Sequence, residues 1–151
     1  MVYAIYKLNL ISAQKRGMMS EYPNVRVLLV ESDEVSIFVM EKILGKKFHL
    51  TVARNGVEAL HLAKRKIFDA VLIEIRLSHN TDGIEVMEEL RKDSIYHSAQ
   101  IWAFTGGASA KDEPYFKELG FDRFFKKPIN YTELINLILE ALPERVNSSQ
   151  V

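Results

Sequence analysis

Between residues 25 and 142, short unbroken apolar runs alternate with stretches whose apolar positions recur every three or four residues. The first kind suits a strand covered on both faces, the second a helix with one buried face. Residues 25–30 (VRVLLV) form the first run. Ser32 and Asp33 then offer helix caps, and Ile37, Met40 and Leu44 mark a helix that ends at Gly45. Residues 49–53 predict a second strand. Asn55–Gly56 reads as a turn, and Val57, Leu60, Ala63 and Ile67 line a second helix. The third run, 70–75 (AVLIEI), is apolar except for Glu74, and Asp82–Gly83 opens a third helix carrying Ile84, Met87 and Leu90. Residues 100–104 (QIWAF) predict a fourth strand. A fourth helix over 111–119 tolerates Pro114 because that residue lies in its first turn. Residues 123–125 predict a short fifth strand, and 130–142 a fifth helix with Leu134, Leu137, Ile138 and Ala141 on one side.

Five strand–helix repeats predict an α/β fold: a three-layer, flavodoxin-like sandwich whose five parallel strands take the order 2-1-3-4-5 between five helices. Ligands of such sheets sit beyond the carboxyl ends of the strands, so function is sought there. The domain is expected to span 24–142. Residues 143–151 are polar and expected to form a disordered tail. Residues 1–23 are expected to be a leader. In it Lys15 and Arg16 follow the apolar part, the reverse of a secretory signal, and Met18 or Met19 looks like a natural start. The leader is read as a flexible extension; the alternative is an added strand or helix packed on the body or on a second copy, which leaves a homodimer open.

Composition narrows the field. The 151 residues include no cysteine, which removes disulfides, thiolate metal sites and a cysteine nucleophile. Lys+Arg and Asp+Glu both number 20, so no net charge draws the chain to nucleic acid or an anionic membrane. No apolar run reaches the length of a membrane helix. A compact cytoplasmic domain is the expectation.

At the strand ends stand Glu31, Ser32, Asp33 and Glu34, then Glu74, then Thr105-Gly106-Gly107, then Lys126-Lys127-Pro128. The topology brings these groups into one crevice. Clustered carboxylates suit a hard cation such as Mg²⁺, and a hydroxyl and a lysine opposite them suit a phosphoryl group. Each piece alone is commonplace: acidic residues favour any helix N-terminus, and Lys-Pro is an ordinary turn. Glu74 is the exception, because a carboxylate in a buried strand needs partners. The four histidines, His49, His61, His79 and His97, have no ligand spacing.

In the segments VRVLLVESDEVS, VARNGVEAL, FDAVLIEIRLSHNTDG, IWAFTGG and FDRFFKKPIN the chain resembles the receiver domain of two-component response regulators, the CheY-like family. The resemblance implies that an aspartate ending strand three accepts a phosphoryl group from a histidine kinase. It implies two acidic residues after strand one at a Mg²⁺ site, a Thr or Ser and a Lys on the phosphoryl group, and a strand-five aromatic that switches with the Thr. Here the acceptor position holds Glu74 and the acidic pair falls on Glu31 and Ser32, so the Mg²⁺-site equivalents are Glu31, Ser32 and Glu74. Thr105 and Lys127 match the switch hydroxyl and the phosphate-contacting lysine, and Phe124 takes the place of the switch aromatic. The loop from 74 to 83 is one residue longer than usual, its usual proline is replaced around Leu77 and Ser78, and the family's metal-contacting carbonyl falls near Arg76.

Glutamate carries the same nucleophile one C–C bond, about 1.5 Å, further out, and a 1 Å misplacement can cost on the order of 10²-fold in rate. Ser32 removes one metal-binding charge. The expectation is therefore a stand-alone, non-enzymatic pseudo-receiver with no cofactor, or with weakly bound Mg²⁺, acting by protein–protein contact. Its partners would be a histidine kinase or an effector, met through the face of helix four, strand five and helix five. There Tyr115, Phe116, Phe121 and Tyr131 are weighed against burial in the core, beside Arg123, Lys126 and Lys127. Glu74 either pairs with Lys127, with Thr105 near, and mimics a loaded state, or fills the pocket and holds an unloaded one. The rival readings are a working Mg²⁺-dependent phosphoacceptor, an acid-nucleophile phosphatase, which would want Asp-x-Asp where Glu31-Ser32-Asp33 stands, and a flavodoxin-like nucleotide binder, which would want a glycine-rich loop after strand one.

Overall fold

The computed structural model describes residues 20–78, 82–107 and 112–149. In chain order these form β1 (Tyr22–Val30), α1 (Glu34–Leu44), β2 (Phe48–Ala53), α2 (Gly56–Arg65), β3 (Ala70–Glu74), α3 (Gly83–Arg91), a 3₁₀ turn (Ser94–Tyr96), β4 (Gln100–Thr105), α4 (Glu113–Leu119), β5 (Arg123–Lys126), α5 (Tyr131–Ala141) and α6 (Pro143–Ser149). The strands are parallel and lie in the order β2-β1-β3-β4-β5, as the alternation predicts.

The sheet is buried on both sides, which is why its central strands read as continuous apolar runs. One face carries Leu28, Val30, Val71, Ile73, Ile101 and Ala103 against α2, α3 and α4. The other carries Val27, Leu29, Leu72, Trp102 and Phe104 against Met40 and Leu44 of α1 and Leu134 and Ile138 of α5. At Gly83 a Cβ would stand 2.3 Å from the Glu74 carbonyl oxygen. Glycine there lets the start of α3 close onto the end of β3, directly beneath the crevice.

Two boundaries differ from expectation. The first strand begins at Tyr22, inside the stretch read as leader, because the N–H groups of Glu21 and Tyr22 bond the Lys46 and Lys47 carbonyls at 2.9 and 2.7 Å. The β1–β2 register is irregular between Tyr22 and Arg26, the interval that contains Pro23, which has no N–H for the ladder. Secondly, residues 143–149 of the polar tail form a sixth helix, α6, not a disordered segment. Arg145 pairs with the half-buried Asp69 at 3.0 Å, Asn24 bonds Ser149 Oγ and the Ser148 carbonyl at 3.2 and 3.0 Å, and Val146 packs on the core. Every one of these partners is remote in sequence, so local composition gave no sign of them.

Arg91 fastens the opposite side. Its guanidinium donates to the carbonyls of Tyr96, Ala99 and Gly120 at 2.7, 2.9 and 3.1 Å, and to Asp122 Oδ2 at 2.8 Å. Asp122 also accepts the Ile101 N–H at 2.8 Å. Removing the donor strands several partly buried acceptors, so Arg91→Ala is expected to lower the unfolding free energy by about 3 kcal/mol in urea titrations. A loss under about 0.5 kcal/mol would mean that water replaces it without cost.

Candidate functional site

The site lies at the carboxyl end of the sheet, where β1, β3, β4 and β5 deliver Glu31, Glu74, Thr105 and Lys127. Glu31, Glu74 and Thr105 are the only charged or polar residues among the buried ones described, at 1%, 4% and 3% exposure. The Lys127 ammonium sits between the two carboxylates, 2.7 Å from Glu31 Oε2 and 2.8 Å from Glu74 Oε2, and 5.1 Å from the centre of the Phe104 ring. The remaining carboxylate oxygens are also held. Glu31 Oε1 accepts the N–H groups of Ser32 and Asp33, both at 2.9 Å, and Glu74 Oε1 accepts the Arg76 N–H at 3.0 Å. Charge-assisted bonds of this kind are what make a buried carboxylate tolerable.

Burial works against the Lys127 charge, but the hydrogen bonds it donates to Glu31 and Glu74, together with their charges, outweigh it and hold its pKa above the ordinary lysine value of 10.5. A folded-state pKa raised above the unfolded one stabilises the fold fully below the unfolded value and loses that contribution as pH climbs through the folded value. Wild-type stability is thus expected to fall more steeply above about pH 10.5 than that of Lys127→Met in parallel alkaline unfolding titrations. Equal slopes would show that the ammonium is not held by the carboxylates.

The neighbouring polar groups have other duties. Asp33 is exposed and caps α1, accepting the Ser36 N–H at 2.8 Å, a bond that lowers its pKa. Ser32 Oγ accepts the Ser78 N–H at 3.2 Å and so ties the β1–α1 loop to the β3–α3 loop. Thr105 Oγ1 takes a long bond, 3.5 Å, from the Gly107 N–H. Among the described residues it makes no bond to Glu74 or Lys127. Phe124 stacks face to face on Phe116 of α4, with centroids 4.9 Å apart and planes 4° from parallel.

Of the sequence-predicted set, the fold brings Glu31, Glu74 and Lys127 into direct contact, while the side-chain hydroxyls of Ser32 and Thr105 bond Ser78 and Gly107 instead. Sequence reasoning missed the Ser32–Ser78 tie and the position of the Arg76 guanidinium, which lies where a Cβ on Gly107 would meet it at 2.6 Å. Neither has a local sequence signal. His79 lies outside the described residues. His49, His61 and His97 stand apart, and among the described residues no three His, Asp or Glu side chains are grouped to hold a metal. The aromatic face divides as anticipated: Phe116 and Phe121 are buried, while Tyr115 is 53% exposed.

Mg²⁺ needs several oxygens free to complete an octahedron. Here both carboxylates are bound to one ammonium and to backbone N–H groups, the third position is a neutral serine engaged with Ser78, and Asp33 is committed to a helix cap. The residues present do not fit the ion.

The model of the family described as "Response regulator receiver domain" matches residues 27–139. Among curated proteins, the chain is 29% identical over 117 residues to the polar-differentiation response regulator DivK of Brucella anthropi, covering 77% of this chain and 94% of that one. It is 26% identical over 148 residues to stress response regulator protein 1 of Candida tropicalis, covering 91% of this chain and 56% of the relative. The chain spans about half the length of the first such relatives it matches. Among solved structures it is similar to the receiver domain of the sensor histidine kinase PA1611 of Pseudomonas aeruginosa, whose cleft coordinates a magnesium ion. That match has 27% identity and a TM-score of 0.70, and covers 78% of this chain and 96% of that one. A CheY-like receiver protein of Methanospirillum hungatei aligns at 25% identity with a TM-score of 0.70, covering 82% and 97%.

Proposed function

We propose that this chain, which belongs to the response regulator receiver domain family, is a docking module of two-component signalling whose pocket is set by an internal ion triad and not by phosphorylation. The observation that carries the reading is the Glu31–Lys127–Glu74 triad. The acceptor position holds a carboxylate one methylene longer than the aspartate of the family, and that carboxylate is already paired with the lysine that would steady an incoming phosphoryl group. To act as a nucleophile Glu74 would have to leave Lys127 and the Arg76 N–H, and its oxygen would then lie about 1.5 Å beyond the aspartate position. No reaction is assigned to the chain and no cofactor is needed. Its partner is another signalling protein, met through α4, β5 and α5, where Tyr115, Arg123 and Lys126 are exposed.

The test is the backbone amide spectrum of the isotope-labelled chain before and after addition of acetyl phosphate with Mg²⁺. The spectrum is expected to be unchanged along α4, β5 and α5. Shifts across that face that decay as acyl phosphate hydrolyses would overturn the proposal in favour of a working switch.

A further inference from the structure

The crevice occupies the carboxyl end of the sheet. A second concave site lies toward the opposite, amino end, on the side covered by α2. It is a cleft of about 540 Å³, within the range of roughly 300–1,000 Å³ common to small-molecule sites. Arg26 of β1 and His49 of β2 are partners in the ladder, so they stand side by side, about 5 Å apart. Arg65, the last residue of α2, and Lys66, its cap, line the same cleft. Thr51 adds a hydroxyl and the half-exposed Ile67 an apolar surface. Among the described residues no carboxylate lines it.

The charges gathered there are unmatched. Elsewhere on the surface Arg54 pairs with Glu34, Arg91 with Asp122 and Arg145 with Asp69. Among the described residues Arg26, His49, Arg65 and Lys66 enter no ion pair, and Arg65 meets the His61 ring at 3.4 Å. Asp69 accepts the Arg26 N–H at 2.8 Å, but its charge is met by Arg145 at 3.0 Å. The helix dipole accounts for a cation in the last turn of α2. It does not account for Arg26 and His49, which stand on strands.

We propose that this cleft binds a small anion carrying two adjacent phosphate groups. The fork of an arginine fits phosphate oxygens two at a time, and a lysine adds a point charge. Arg26, Arg65 and Lys66 together supply more positive charge than one phosphate neutralises, with His49 and the Thr51 hydroxyl beside them. The volume leaves room for an organic body against Ile67. Because the cleft and the crevice lie at opposite ends of the sheet, binding does not require the Glu31–Lys127–Glu74 triad to open.

The experiment is a titration of the isotope-labelled full chain with sodium pyrophosphate at low salt, where surface charges are least screened, followed by amide shifts. Shifts at Arg26, His49, Thr51, Arg65, Lys66 and Ile67 are expected to saturate with a dissociation constant of about 1 mM or below. The double variant Arg65→Gln, Lys66→Gln changes two exposed side chains and should bind at least about tenfold more weakly. Arg54→Gln, an equal kind of charge loss outside the cleft, should bind as wild type does. ADP and vesicles containing phosphatidylinositol bisphosphate carry such groups on a soluble and on a membrane-bound body; the one that displaces pyrophosphate at the lower phosphate concentration identifies the source. No saturable shift at the cleft, or equal affinity of wild type and the double variant, would overturn the proposal. So would tighter binding of a polyglutamate peptide at the same amides, since the cleft would then be a seat for an acidic protein segment.

Discussion

Lys127→Met is expected to lower the unfolding free energy by about 3 kcal/mol at neutral pH, the largest single-residue loss in the crevice. The substitution keeps the aliphatic stem and removes only the charge. It leaves Glu31 and Glu74, each nearly inaccessible to solvent, facing one another without the ammonium that now bridges them at 2.7 and 2.8 Å. Two like charges in one buried site are unfavourable, so the variant should also take up a proton on folding that wild type does not. Denaturant unfolding between pH 5 and 8 checks both points. The variant should gain stability as pH falls while wild type stays flat. A loss under about 1 kcal/mol, flat with pH, would show that water screens the pair and that Lys127 is an ordinary surface lysine.

The second expectation is a gain of chemistry. Glu74→Asp together with Ser32→Asp should accept a phosphoryl group from acetyl phosphate in the presence of Mg²⁺ at least about a hundredfold faster than wild type. The donor's acetyl–phosphoryl O–P bond breaks, a new O–P bond forms at the shortened carboxylate of position 74, and acetate leaves. Shortening the side chain withdraws one of the two carboxylates that hold Lys127, which leaves its ammonium room to reach the phosphoryl oxygens, and the second aspartate restores the acidic residue that Ser32 lacks. An acid-labile label on the double variant, absent when position 74 is asparagine, checks the result. No gain over wild type would place the obstacle elsewhere, in the lengthened loop between Glu74 and Gly83.

The sheet order was legible because the central strands are buried on both faces and the helices on one. Ile37, Met40 and Leu44 recur at the expected spacing and are all buried. The site was legible as a set: Glu31, Glu74 and Lys127 stand among the polar groups at the strand ends, the parallel topology gathers those groups into one crevice, and the resemblance to receiver domains singles these three out. What sequence could not reveal depends on groups far apart in the chain. Asp69, an ordinary loop residue before β3 in sequence, gives α6 its anchor at Arg145. Ser32 looks like a lost ligand in sequence, yet in the fold it is a tie to Ser78. Thr105 was expected near Glu74, but its hydroxyl is turned to Gly107. Periodicity misled on the second helix, where Val57 is 75% exposed and Ile67, 48% exposed, lies beyond the end of α2.

The reading of the crevice as a closed ion triad is tested most directly by intact-mass analysis of the wild-type chain after incubation with acetyl phosphate and Mg²⁺, with the double variant run alongside. The expected result is no adduct on wild type while the variant is loaded. A phosphoryl adduct on wild-type Glu74, forming as fast as on the variant and hydrolysing afterwards, would contradict it.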